Sequence, residues 1–196
     1  GDLAAALRMA DVALAKGEPS AVWLERKAQV AEWAGLAPQA LAAWLSVLRQ
    51  QGSQKALANV FRLSPMLFDD KALLVAWQAV ARMRDLTMGE VREVVAAHER
   101  LGSVDGALGF VRQLPQSQPR ANEAQRLAWL SLEAELLERA GRSALAIALL
   151  ERLRPQGLGR DDAMRLAQLH LRQGQTSNVI TSDKSSVLVV AEYKGE

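Results

Sequence analysis

The chain repeats one local pattern at a long, regular interval. Gly35 is followed five residues later by Ala40, Gly102 by Ala107 and Gly141 by Ala146. Apolar residues recur around them at three- and four-residue steps, as in Leu127, Leu130, Ala134, Leu137 and Leu145, Leu149, Leu153, the spacing of amphipathic helices. A glycine between two such runs supplies the left-handed residue with which a helix ends, and the alanine lets the next helix pack close to the first. Self-similarity at roughly 34 residues marks stacked helical hairpins, each burying its apolar face only against its neighbours. The expected fold is therefore all-α, a solenoid of paired antiparallel helices.

With each glycine as position 15 of its unit, repeats start at Ala21, Met88, Leu127 and Arg160, and the period supplies a further start at Lys55. The spacings are then 34, 33, 39 and 33 residues. The long one is assigned to the loop Pro115 to Ala121, where an insertion is tolerated. The unit from Lys55 to Thr87 is irregular: Asp69 stands where the glycine belongs and Pro65 falls in the last turn of the first helix, although Lys71 to Arg84 still reads as a second helix. Ser20, Ser53, Ser103, Ser143 and Asp161 are candidate helix caps, Thr87 with Glu90 a capping box, and Gly174 a further helix exit.

Three segments follow. Residues 1–20 read as the closing helix of an upstream repeat, 21–175 as an array of about four hairpins plus a trailing helix, and 176–196 as a tail outside the repeat. The tail loses the leucine and alanine periodicity and shows Val179, Ile180 and Val187 to Val190, which suggests coil with a short strand. It is the start of another domain, an irregular cap, or sequence foreign to the array. Without an initiator Met and opening inside a helix, the chain is expected to be a piece of a longer one.

Composition narrows the function. Against 22 acidic residues stand 24 basic ones, a net charge of only +2, so no large field of one sign is available to grip nucleic acid. Cysteine is absent, which excludes a thiolate zinc site, a cysteine nucleophile and a disulfide scaffold. No Gly-x-Ser-x-Gly elbow, glycine-rich phosphate loop or Walker lysine occurs. No apolar run is long enough to span a membrane. The chain is expected to be no enzyme and to need neither cofactor nor metal.

The glycine, the alanine and the period together resemble the tetratricopeptide repeat family, which implies helical hairpins stacked into a right-handed superhelix with a concave binding face. A narrower resemblance rests on Trp33, Ala34, Gly35, Ala40, Leu41 and Trp44, followed by RLSPMLFDD from Arg62 to Asp70. These are similar to the periplasmic repeat region of PelB-type outer-membrane exporters of bacterial exopolysaccharide, and the tail departs from that pattern. The resemblance implies a periplasmic scaffold for a polysaccharide-modifying enzyme, with direct binding of a charged polysaccharide as the alternative.

The candidate chemistry is sparse. His98 and His170 both fall at position 11, where the family places core-facing side chains. The pairs Asp69-Asp70 and Asp161-Asp162 precede helices, where acids cap free amides and complement the helix dipole. Trp23, Trp44, Trp77 and Trp129 fall at packing positions, whereas Trp33 at position 13 is expected on the concave face and is a candidate partner contact. The same position carries Arg100, Arg139 and Arg172, a candidate ladder for an acidic surface. The competing expectation is ordinary pairing along a helix, Glu135 with Arg139 and Glu138 with Arg142. Position 12 adds Glu32, Glu99 and Glu138, so the expected partner-binding set is Trp33, Arg100, Arg139 and Arg172 with Glu99 and Glu138.

Overall fold

The computed structural model describes residues 2–16 and 21–173. Among them every regular element is helical: α1 (Leu3–Lys16), α2 (Ala21–Trp33), α3 (Ala37–Gln51), α4 (Gln54–Met66), α5 (Asp70–Met83), α6 (Met88–Arg100), α7 (Val104–Ser117), α8 (Glu123–Arg139), α9 (Ser143–Leu153), a 3₁₀ turn Arg154–Gln156, and α10 (Arg160–Arg172). No strand occurs among the described residues. The expected tail strand, Gly174 and the cap Ser20 lie outside them. None of the described helices is long and apolar enough to cross a membrane.

The chain forms two compact units, Gly1–Ser103 and Val104–Glu196. In the first, each helix from α1 to α6 packs against the next, and α3 also touches α5. Its core is drawn from one stripe per helix: Ala28 and Ala31 from α2, Trp44 and Val47 from α3, Val60 and Leu63 from α4, Ala76 and Val80 from α5, Val91 and Val94 from α6, all buried. In the second, α7 packs on α8, α8 on α9 and α9 on α10, around Leu108, Leu114, Leu132, Leu136, Leu150, Leu166 and Leu169. Such chain-neighbour packing is the hairpin architecture the period implied. The alanines that follow the glycines, Ala40, Ala107 and Ala146, are completely buried, as close helix packing requires.

Four helix exits share one geometry. Gly35, Gly102 and Gly141 sit at φ +71°, +67° and +70°. In each turn the left-handed residue donates to the carbonyl three back, and the next residue donates to the carbonyl five back: Leu36 to Ala31, Ser103 to His98 and Arg142 to Leu137, all at 2.8 Å. The fourth exit departs from expectation. The left-handed residue is Phe68, at φ +53°, and Asp69 donates to Ser64 at 2.9 Å. The glycine's place thus belongs to Phe68 rather than Asp69. Asp69 is the N-cap of α5 and accepts from the Ala72 amide at 2.9 Å, so the turn has to close one residue earlier.

Three of the five expected starts hold. α2, α6 and α10 begin at Ala21, Met88 and Arg160, whereas α4 begins one residue early and α8 begins at Glu123, four residues before the expected Leu127. Thr87 and Glu90 form the capping box, and Ser53 caps α4. Pro65 lies inside α4, and its missing amide leaves the last turn one backbone hydrogen bond short. Three expectations are corrected. Ser143 is the first residue of α9 instead of its cap. α10 is preceded by Gly159, which has no side chain to cap with, and Asp161 lies within the first turn. The long repeat spacing is not taken up by the loop Pro115 to Ala121: α7 continues through Pro115, and α8 runs 17 residues against 13 in α2, α4, α6 and α10. A second capping box, Asn122 with Gln125, anchors that longer start.

Candidate functional site

In the second unit, α8 and α10 are the first helices of successive repeats, and acids on one meet arginines on the other. Arg165 of α10 is mostly buried and reaches Glu138 at 3.2 Å, Glu135 at 3.8 Å and its own neighbour Asp162 at 3.0 Å. The Asp162 carboxylate also accepts from the Ser131 hydroxyl at 2.8 Å. Arg172 donates to Glu138 at 2.9 Å, and Arg139 pairs with Glu135. A buried carboxylate is costly unless paired and hydrogen-bonded, so the cluster holds the two helices in one register. Arg172 and Arg139 remain half-exposed or more. Each guanidinium carries five N–H groups in a planar fork suited to carboxylates.

The expected residues are therefore placed as follows. Arg139, Arg172 and Glu138 come together on the α8/α10 face. Arg100 belongs to the first unit, where Asp70 takes its Nε at 2.9 Å and one terminal nitrogen at 2.7 Å; that carboxylate holds the guanidinium's pKa above its usual value. Glu99 is half-buried on the same helix and is engaged. The pair Glu135–Arg139 forms, but Arg142 turns instead to Asp105 at 2.7 Å, because Glu138 is occupied by Arg165 and Arg172. Arg165, the centre of the cluster, was not singled out by sequence: its place at the sixth residue of α10 shows only when α8 is laid beside it.

Trp33 is exposed, as a partner contact requires, at the turn between α2 and α3. The other tryptophans pack: Trp44 and Trp129 are buried, Trp77 meets Phe61 edge-on with centroids 4.7 Å apart, and Trp23 lies under Arg26. The Trp44 indole donates to Glu32 at 2.7 Å, so one member of the expected acidic column is a structural acceptor. His170 is buried with Nε2 3.0 Å from Glu151. Burial pushes the His98 imidazole below its ordinary pKa, which keeps it neutral at pH 7.

The first unit also carries an open cavity of about 400 Å³ floored by Leu57, Phe61, Trp77 and Val80, with Arg84 and Glu90 at its mouth. Those two charges neutralise each other at 2.5 Å. The Trp77 indole nitrogen has no partner, yet it is sealed from solvent and offers nothing to an incoming group. Among the described residues no cluster of three or more acids and histidines is gathered as for a metal ion.

No protein-family model and no curated protein matches the chain. Among solved structures it is similar to a tetratricopeptide repeat protein from Parabacteroides merdae, at 17% identity over 90% of this chain and 68% of that one, with a TM-score of 0.42.

Proposed function

We propose that the chain is a protein-interaction scaffold that docks a partner protein on the first helices of its hairpins. The observation that carries this reading is the α8/α10 face, where Arg139 and Arg172 stand half-exposed or more on two helices held in register by Arg165 and its acids. A pre-ordered charged face gives orientation and association rate at little ordering cost, and an acidic partner segment can exchange with, or add to, the carboxylates already there. Arg100, with Glu99 beside it, offers a similar group on α6. The proposed setting, a periplasmic exopolysaccharide export assembly with a polysaccharide-modifying enzyme as partner, rests on the resemblance at Trp33 to Trp44 and Arg62 to Asp70.

The test is a pull-down from bacterial periplasmic extract, comparing the parent with a variant carrying Arg100→Gln, Arg139→Gln and Arg172→Gln. Glutamine avoids new repulsion against the paired acids, and matching circular dichroism spectra establish that the variant is folded. Capture of one protein by the parent and not by the variant is the expected result. Equal capture would move docking off the arginines. No capture, with retention of charged oligosaccharides instead, would favour the polymer as ligand.

A further inference from the structure

Three hairpin turns meet their need for a left-handed residue with glycine, and one meets it with Phe68. A side chain at φ +53° sets its Cβ against its own backbone, a genuine outlier for a bulky residue. The Asp69 cap and the turn's backbone bonds hold the residue there, but the side chain itself gains no burial in return, since Phe68 is 92% exposed. It does not stand alone. Trp33 (71% exposed) and Leu36 (37%) flank the Gly35 turn, Met66 (66%) shares the Phe68 turn, and Leu101 (38%) precedes Gly102. Ion pairs hold these turns side by side: Glu32, next to Trp33, takes Arg62 of the following hairpin, and Asp70, two residues after Phe68, takes Arg100, next to Leu101. Five apolar side chains thus line one edge of the first unit.

We propose that this edge is a self-association face, on which two copies of the chain pair about a two-fold axis through Phe68 and Trp33. The charges bordering it are already matched within each copy, Glu32 with Arg62 and Asp70 with Arg100. An apolar strip with paired charges does not repel its own image. Large side chains carry roughly 150–250 Å² each, so five at these exposures present on the order of 600 Å² per copy. Two copies would bury about 1,200 Å², the lower bound of a specific interface, so the dimer is weak and concentration-dependent, with Kd on the order of 10–100 μM. The inference does not rest on the α8/α10 face that carries the scaffold reading, and it shares with that reading only Arg100, which borders the edge.

Sedimentation equilibrium of the whole chain from about 1 to about 300 μM tests it. The expected result is a mass rising from one chain towards two. Phe68→Gly should weaken pairing at least about tenfold, as for an interface anchor, while raising the melting temperature, because it removes a strained residue. Trp33→Ser should weaken pairing in the same way and carries the test alone if the turn variant misfolds. Leu145→Ser, an exposed leucine of the second unit, should leave pairing unchanged. A monomer throughout, a mass growing past two chains, or a dimer indifferent to both edge variants would each overturn the proposal.

Discussion

At the scale of single residues, the same backbone requirement has opposite consequences at Gly35 and Phe68. A Cβ added at Gly35 would meet no atom within 4 Å, so Gly35→Ala should cost about 1 kcal/mol through its φ alone. Phe68→Gly should return a similar amount, about 2–4 °C in melting temperature for a chain of this length. Thermal melts of the two variants check both signs. Glu90 gives a pH dependence. Its carboxyl is held down to about 2, first by the Arg84 guanidinium and then by the Thr87 amide and hydroxyl, against an ordinary value of 4.5. Because the unfolded chain takes up this proton more readily, the stabilisation is full above pH 4.5 and lost as pH falls towards 2. Glu90→Gln should therefore melt below the parent at pH 7, with the gap closing across that interval. A gap that stayed constant from pH 7 to pH 2 would contradict the assignment.

Among the helices, α4 with α5 should form the softest hairpin of the first unit. Pro65 removes a hydrogen bond from the last turn of α4, Phe68 strains the exit, and Leu73 takes the place that a completely buried alanine holds in the other hairpins. By contrast, α3 buries Trp44 and Val47 against both sides of the stack. Amide hydrogen exchange should be faster in Gln54–Met66 than in Ala37–Gln51, since local opening follows buried contact and intact backbone bonding. Slower exchange in α4 would show that the proline and the strained turn are compensated elsewhere.

For the whole molecule, two features matter: its near balance of charge and its two separate cores. Many acids and bases pair with each other between helices of the stack, as at Glu25–Lys55, Glu32–Arg62, Asp70–Arg100 and Glu138–Arg172. Such exposed pairs add little stability singly but suit a stack whose repeats must keep register. Each unit has a core of its own, and stability in a repeat array is a sum over neighbouring hairpins. Residues 1–103 expressed alone should consequently be helical and melt cooperatively. A fragment without a thermal transition would mean that its core does not suffice.

What the sequence determined by itself was the period and the elements that follow from local chemistry. The glycine exits, the buried alanines, the Thr87–Glu90 box and the starts at Ala21, Met88 and Arg160 depend on one residue's conformational freedom or on neighbours three to five apart, which a sequence displays. What only the tertiary structure decided depends on which helices lie side by side. Arg165 becomes the centre of a cluster because α8 and α10 bring Glu135, Glu138 and Asp162 to it, and Arg142 chooses Asp105 over Glu138 for the same reason. Phe68 took the glycine's place because an Asp69 cap obliged the turn to close one residue sooner. An ion pair thirty residues apart in sequence, or two exposed aromatics on successive turns of one edge, is a property of stacking, and stacking is set by burial summed over neighbours rather than by any local motif.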